Sequence, residues 1–98
     1  MPLQGNLTPH GRLHGGASVA LAESLGTLGC HLHAGVGRTA VGLDINATHH
    51  RSPASDMVTG IAVPMHRGRT TASYQVTIHD AQGALTCTSR ITCLIIPR

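Results

Sequence analysis

The 98-residue chain contains no Trp, no Phe and a single Tyr, Tyr74, so aromatic side chains contribute little to its core. It also contains no Lys, because all seven of its basic residues are Arg. Without a dense basic run or a platform of aromatic side chains, nucleic acid is a weak candidate partner. No run of about 18 apolar residues is present and no signal-peptide core is recognisable, so we expect a cytoplasmic protein with no membrane association.

The three cysteines are an odd number with no C-x-x-C pair, which indicates neither a disulfide framework nor a zinc finger. Cys87 and Cys93 have the same parity in one predicted strand, and we expect both to be small buried residues. Eight histidines are present, but they form no H-E-x-x-H motif and no Cys/His spacing that suits zinc. The sequence therefore predicts no metal and no cofactor.

The chain does contain 41% hydrophobic residues, over a length that suits one domain, residues 1–98. A domain of this size buries only somewhat more than ~60% of its unfolded surface, so a partner subunit would add to its stability.

One helix is predicted from residue 14 to about residue 34. Four leucines spaced three or four residues apart form an apolar stripe along it: Leu21, Leu25, Leu28 and Leu32. Gly15 and Gly16 at its start have poor helix propensity, which predicts that another group approaches the backbone closely there.

After the helix, the hydrophobic period changes from 3.6 to 2, which predicts strands near residues 41–47, 57–65, 74–78 and 85–95. Pro64 marks an edge or a bulge, and residues 80–83 give a turn between the last two strands. A helix followed by four strands with short connections predicts an antiparallel sheet with the helix on one face, in class α+β.

Glu23, the only Glu, lies inside the predicted helix, roughly opposite the start of the leucine stripe. Its neighbours on that face are Gly16, Ala20 and Thr27, and no Lys or Arg lies four residues away. One interpretation is a solvated helix face. The other is a carboxylate that faces a cleft or a second subunit, where removal from water makes it a stronger base.

The start of the helix offers a second functional element. Its first N–H groups have no intrahelical acceptor, and the helix dipole places partial positive charge there. With glycines at these positions, a carbonyl oxygen could approach and be stabilised as an oxyanion, although loop flexibility is the simpler interpretation. Arg51, Arg67 and Arg69 follow or connect strands, and either provide ordinary surface charge or form basic corners for a phosphorylated ligand.

Four segments, in order, resemble the PaaI-like hot-dog thioesterases, in the branch of the 4-hydroxybenzoyl-CoA and 1,4-dihydroxy-2-naphthoyl-CoA thioesterases. They are LHGGASVALAES (13–24), VGLDINATH (41–49), PMHRGR (64–69) and the strand at 84–94. The resemblance covers nearly the whole chain. It implies a hot-dog fold, in which a long helix packs on an antiparallel sheet, and the hydrolysis of an acyl-CoA thioester, with an aromatic acyl group favoured, to the free acid and CoA.

The resemblance implies a role for each matching position. Glu23 corresponds to the catalytic carboxylate, a general base on water or a nucleophile on the thioester carbonyl. Gly15 corresponds to the N–H that polarises that carbonyl, Thr27 to a hydroxyl that positions the water, and His14 to the motif histidine. Thr8 stands where the family usually has Gln or Asn donating to the thioester oxygen, with Asn6 as a nearby substitute. The positions that match CoA-contacting regions are Gly42, His49, His50, Arg51, Ser52, His66, Arg67, Gly68, Arg69, Thr70 and Thr71.

The resemblance also implies a homodimer, or a homotetramer built as a dimer of dimers, with the active site across an interface where the strand around Ile45 pairs with its symmetry mate. Family members have further N-terminal residues, including a helix and an edge strand, which we expect this chain to lack. Leu25, Leu28 and Met65 are candidates for an apolar acyl pocket. The alternative function is a non-catalytic acyl-CoA-binding or structural oligomer of the same fold, inactivated by the missing N-terminal segment.

Overall fold

The computed structural model describes residues 1–98 and contains one helix followed by four strands. The helix α1 covers Gly15–Ala34, and the strands are β1 (Arg38–His49), β2 (Val58–Arg67), β3 (Thr71–Asp80) and β4 (Leu85–Pro97). The strands form one antiparallel sheet in the order β1-β4-β3-β2, and α1 packs on one of its faces. The predicted α+β class and the predicted series of elements are confirmed, and this is the architecture that the resemblance implies.

The core lies between α1 and the two central strands, β3 and β4. Alternate residues of each strand face the helix, as the period of two predicts. Val76, Ile78, Ile91 and the thiols of Cys87 and Cys93 are at most 1% exposed, which confirms the prediction for the two cysteines. Because β1 and β2 are the edges of the sheet, they contribute less to this core.

The helix packs on the sheet through small residues, whereas much of its leucine stripe stays exposed. The residues of α1 that are buried are Ser18, Ala22, Gly26 and Cys30. A Cβ atom at Gly26 would lie 2.8 Å from Cβ of Ile91, so the helix is too close to the sheet for larger side chains. The apolar stripe predicted along α1 is therefore not buried along its whole length, since Leu28 and Leu32 are 55% and 76% exposed.

The predicted irregularities of the sheet are present. The register between β2 and β3 shifts at Pro64/His66, which confirms the bulge, and a second shift at Gly42/Asp44 interrupts β1. In the β3–β4 turn, the buried Asp80 carboxylate accepts hydrogen bonds from the N–H groups of Ala54, Ala84 and Gln82 at 3.0–3.1 Å. These bonds, the one from Ala54 above all, lower the pKa of Asp80.

Residues 1–14 contain no helix and no extended strand, but they are attached to the sheet. The amino group of Met1 donates to the carbonyl of Val58, and the N–H of Val58 donates back to the carbonyl of Met1, at 2.8 and 2.9 Å. Leu7 and Leu13 form an isolated bridge that brings the chain to the start of α1. The helix α1 lacks the combination of length and apolar character that a membrane-crossing helix needs.

Candidate active site

Glu23 lies at the middle of α1 with an exposed side chain and borders two cavities, one of which lies against the edge strand β1. The smaller cavity, ≈ 170 Å³, lies between α1 and β1 and is lined by Glu23, Gly42, Leu43, Asp44, Ile45 and Ile91. The larger, ≈ 410 Å³, runs along the helix and is lined by Ala20, Glu23, Ser24, Thr27, Leu28 and His31. No Arg lines either cavity, so the carboxylate has no strong cationic partner there.

Thr27 lies one helical turn beyond Glu23, on the same side of α1 and in the same larger cavity. Its hydroxyl oxygen is 3.9 Å from the Sγ atom of Cys93, which approaches it from β4. The helix therefore presents a carboxylate and a hydroxyl together, as the spacing of four residues predicts.

His14 forms the N-cap of α1. Its Nδ1 accepts a hydrogen bond of 2.8 Å from the N–H of Gly16, and its ring lies so close to Gly16 that a Cβ there would be 2.9 Å away. The capping histidine is therefore the group whose close approach to the backbone requires Gly at position 16, as the sequence predicts. Because Nδ1 is an acceptor, the ring proton of the neutral imidazole lies on Nε2.

Gly15 provides an uncommitted donor at the start of the helix. The N–H groups of Ala17 and Ser18 donate to the carbonyl of His14 and that of Gly16 to its ring, whereas the N–H of Gly15 has no acceptor within the chain. The ring of His49 lies over the α-carbon of Gly15, where a Cβ would be 3.1 Å from Nε2. This N–H is therefore free for a ligand and lies at the positive end of the helix dipole.

A basic cavity of ≈ 350 Å³ opens at this end of the helix. It is lined by Gly15, Arg12, Leu13, Ser18, Pro53, Thr86 and the predicted run of His49, His50, Arg51 and Ser52. His50 follows the end of β1 and is held against β4, because its N–H donates to the carbonyl of Thr86 and its ring lies 2.9 Å from the hydroxyl of Thr88. Two arginines and a helix N-terminus together suit an anionic group such as a phosphate.

Thr8 and Asn6 are largely occupied within the loop that precedes the helix. The Thr8 hydroxyl accepts from the N–H groups of His10 and Arg12, both at 3.3 Å, which leaves only its own O–H to donate. The side-chain amide of Asn6 donates to the carbonyl of Pro2 at 2.8 Å. Each residue thus keeps one donor for a ligand, the O–H of Thr8 and the second N–H of the Asn6 amide.

One chain does not bring the two predicted CoA-contacting segments together. Residues 49–52 lie beside the start of α1, whereas the segment His66, Arg67, Gly68, Arg69, Thr70 and Thr71 lies beside its end, where His33 contacts the carbonyl of Gly68 at 2.7 Å. The strand β1 runs from one end to the other over 12 residues, roughly 40 Å. Gly42 lies between them, in the smaller cavity with Glu23.

The two halves of the predicted chemistry are also separated. Gly15 and Glu23 are eight residues apart on one continuous helix, which corresponds to ~12 Å along its axis. A single thioester carbonyl cannot contact both groups of one chain, because hydrogen bonds to it are about 3 Å long.

Of the candidates for an apolar pocket, Leu28 lines the larger cavity with Glu23. Leu25 packs over Gly60 on the sheet side of the helix, and Met65 lies on β2, the edge strand farthest from β1. In one chain, therefore, Leu25 and Met65 do not border the cavities around Glu23.

Sequence reasoning missed His31, which borders the larger cavity together with Glu23 and Thr27. The spacing of these three residues, four and four, places them on one side of a helix and was the available signal. The thiols offer no rival nucleophile: burial, with the adjacent Cys93, raises the pKa of Cys30 to about 12, and burial raises the pKa of Cys87. No three His, Cys, Asp or Glu side chains are grouped as metal ligands would be.

Comparison with known proteins gives a consistent result. Residues 10–87 match the model of the thioesterase superfamily. The proofreading thioesterase EntH of Cronobacter sakazakii is 43% identical over 88 residues, which is 90% of this chain and 64% of that protein. The structure of a Haemophilus influenzae thioesterase superposes with a TM-score of 0.95 at 44% identity, over 99% of this chain and 68% of the other.

A Bacillus halodurans protein whose structure contains CoA shares the fold, with a TM-score of 0.91 at 16% identity, over 97% of this chain and 64% of the other. The chain spans 58% to 64% of the length of the curated relatives it matches.

Proposed function

Because this chain belongs to the thioesterase superfamily, we propose that it hydrolyses an acyl-CoA thioester to the free acid and CoA, with Glu23 as the catalytic carboxylate. The observation that carries this proposal is the position of Glu23, which borders two cavities without an Arg in their linings. No arginine competes for the carboxylate there, so it is available to a water molecule or a carbonyl carbon.

The reaction follows one of two routes. As a general base, Glu23 accepts a proton from water while the water oxygen bonds to the thioester carbon. As a nucleophile, its carboxylate oxygen bonds to that carbon and forms an acid anhydride, which water then hydrolyses. In both routes the C–S bond breaks, and the sulfur of CoA leaves as a thiolate that takes up a proton.

The negative charge that develops on the carbonyl oxygen needs a donor. The N–H of Gly15 is uncommitted and lies at a helix N-terminus, but the Gly15 of the same chain is ~12 Å from Glu23 along the axis. A second copy whose helix runs antiparallel would place its own Gly15 beside Glu23. The edge strand β1 is suited to such an interface, because it has no partner strand on one side. Its side chains Val41 and Leu43 are 42% and 57% exposed.

The same arrangement accounts for the separation of the predicted CoA-contacting segments. We propose that the segment at residues 49–52 and the segment at residues 66–71 reach one CoA molecule from different subunits. The basic cavity at Arg12 and Arg51 would hold phosphate groups of the ligand. Arg67 and Arg69, at the other end of the sheet, would provide a second positively charged contact for them.

A thiol-release assay with a panel of aromatic and aliphatic acyl-CoA thioesters tests this function. Glu23→Gln is nearly isosteric and removes the basic oxygen, so turnover on the best substrate should fall at least ~100-fold, the usual contribution of a general base. A Glu23→Gln protein with near-normal turnover would show that another group performs the chemistry. Binding of CoA without thiol release by the unaltered protein would favour a non-catalytic binding role instead.

Mixing two inactive variants tests the shared site. In a mixed dimer of Glu23→Gln and Gly15→Pro subunits, one site carries both substitutions and the other carries neither. Random pairing of equal amounts should therefore restore about a quarter of the unaltered turnover, since half of the dimers are mixed and each has one intact site. A mixture that stays as inactive as its components would place the whole site within one chain.

A further inference from the structure

We propose that Asp80 is a positioning residue for the basic cavity at the start of α1, because it fixes the loop that carries Arg51. The inference rests on the proposed function, in which this cavity holds the phosphate groups of CoA. The loop covers residues 50–57 and connects β1 to β2, whereas Asp80 is the last residue of β3 and does not line the cavity itself.

Hydrogen bonds hold the cavity-lining part of this loop only at its two ends. Three consecutive residues of the loop line the cavity: Arg51, Ser52 and Pro53. None of them forms a hydrogen bond within the chain. Before them, the N–H of His50 donates to the carbonyl of Thr86 at 2.8 Å, and after them, the N–H of Ala54 donates to Oδ2 of Asp80 at 3.1 Å. The position of the lining residues therefore depends on these two attachments.

The carboxylate of Asp80 is itself fixed by the turn between β3 and β4. Its Oδ1 accepts from the N–H groups of Gln82 and Ala84, both at 3.0 Å, which leaves Oδ2 for the loop. The residue is buried, so a lost partner is not readily replaced by water. The turn thus presents one oriented acceptor to the N–H of Ala54.

Asp80 also acts on Arg51 through its charge, and the two effects have opposite signs for an anionic ligand. A negative charge near Arg51 opposes the binding of phosphate, so removing the charge alone would strengthen binding. The hydrogen bond from Ala54 is the largest of the influences that lower the pKa of Asp80, and the charge of Arg51 is the smallest. We therefore expect the loss of the loop attachment to dominate and phosphate to bind more weakly.

The substitution Asp80→Asn releases the loop and leaves the turn in place. Its amide oxygen keeps the bonds from Gln82 and Ala84, because the opposite orientation would lose two bonds to keep one. Its NH₂ group then faces the N–H of Ala54, and two donors cannot bond to each other. Asp56→Asn is the matched control, because it removes the same charge from an exposed residue of the same loop whose side chain forms no hydrogen bond.

The experiment measures kcat and KM by thiol release from two thioesters of the same acyl group, one of CoA and one of pantetheine, which has no phosphate. In Asp80→Asn, KM for the CoA thioester should rise roughly three- to tenfold, the effect of one hydrogen bond, while kcat changes little. KM for the pantetheine thioester should stay the same, because that substrate offers nothing to the basic cavity. Asp56→Asn should match the unaltered protein on both substrates.

A second variant covers the case in which a thermal melt shows Asp80→Asn to be unfolded at the assay temperature. The Oγ atom of Ser55, the residue after Ala54, accepts a hydrogen bond of 2.9 Å from the N–H of Ala81 and so ties the loop to the same turn. Ala81 is exposed, so water can replace this acceptor in Ser55→Ala. This variant should also raise KM for the CoA thioester alone.

The role of Asp80 would be overturned by an unchanged or lower KM for the CoA thioester in folded Asp80→Asn, or in Ser55→Ala where Asp80→Asn is unfolded. An equal rise in KM for both thioesters would overturn it as well, and both results leave the proposed function standing. Failure of the unaltered protein to release thiol from any acyl-CoA thioester would overturn the proposed function, and this inference with it.

Discussion

Replacing Gly15 by proline removes a single hydrogen-bond donor with little disturbance of the backbone. Gly15 is the first residue of α1, the position at which proline is favoured because its missing N–H has no intrahelical acceptor. The preceding residue, His14, has φ −66° and ψ 127°, which is the extended conformation that a residue before proline adopts. The φ of Gly15 is not positive, so a side chain is compatible with its backbone.

The size of the effect follows from the role assigned to that N–H. If it stabilises the oxyanion, its loss should cost ~3–4 kcal/mol in the transition state, which corresponds to a decrease in kcat of about 10² to 10³. The new Cβ would lie 3.1 Å from Nε2 of His49, so the ring has to move by a few tenths of an ångström. That shift is common to any residue with a side chain at this position.

Gly15→Ala is therefore the matched control, because it introduces the same Cβ and keeps the N–H. Steady-state thiol release should show a large loss of kcat in Gly15→Pro and a much smaller one in Gly15→Ala, while thermal melts of the two variants stay close together. Equal kcat values in the two variants would refute the reasoning, because the N–H would then have no part in the transition state.

Two further predictions concern stability. Gly26→Ala should lower the free energy of unfolding in chemical denaturation, because overpacking against Ile91 costs ~1–3 kcal/mol and the gain in helix propensity is about 1 kcal/mol. Gly42→Ala is the control and should be tolerated, because no atom lies within 4 Å of its new Cβ. An unchanged stability of Gly26→Ala would contradict the close packing of α1 on the sheet. The lowered pKa of Asp80 means that its carboxylate stabilises the fold above the unfolded pKa of 3.8 and loses this effect as pH falls through its folded value. The difference in melting temperature between the unaltered protein and Asp80→Asn should therefore shrink below about pH 4, and a constant difference would contradict this.

Most of the fold follows from local pattern, and the exceptions have physical causes. The change in period after residue 34 located the strands, and the turn residues at 80–83 located a hairpin. The order β1-β4-β3-β2 did not follow, since pairing between β1 and β4 depends on contacts across some 50 residues. The leucine stripe misled because hydrophobicity alone does not measure how closely two surfaces approach. Ser18, Ala22 and Gly26 are weakly hydrophobic and are buried because they are small.

The sequence indicated candidate site residues but not their arrangement in space. Glu23 and Thr27 share a cavity as their spacing predicts, and Gly15 has the free N–H expected at a helix start. Residues 49–52 and 66–71 both match CoA-contacting regions, but nothing in a linear pattern shows that they lie at opposite ends of the sheet. His31, which borders the cavity with Glu23, was not singled out, because its contact with Ala40 of β1 depends on the folded structure.

In the proposed dimer, the sequence of α1 predicts where the second copy would lie. If the Gly15 of each subunit faces the Glu23 of the other across two antiparallel helices, the two-fold axis passes midway between these positions, near residue 19. On the exposed side of α1 around that point the side chains are small, with Gly16 and Ala20 one turn apart. Small residues allow two helices to approach closely, and a larger side chain at position 20 would hold each carboxylate away from its partner's amide. In the proposed dimer, the run of small residues before Glu23 would therefore serve the approach of the second helix as well as the packing of α1 on its own sheet.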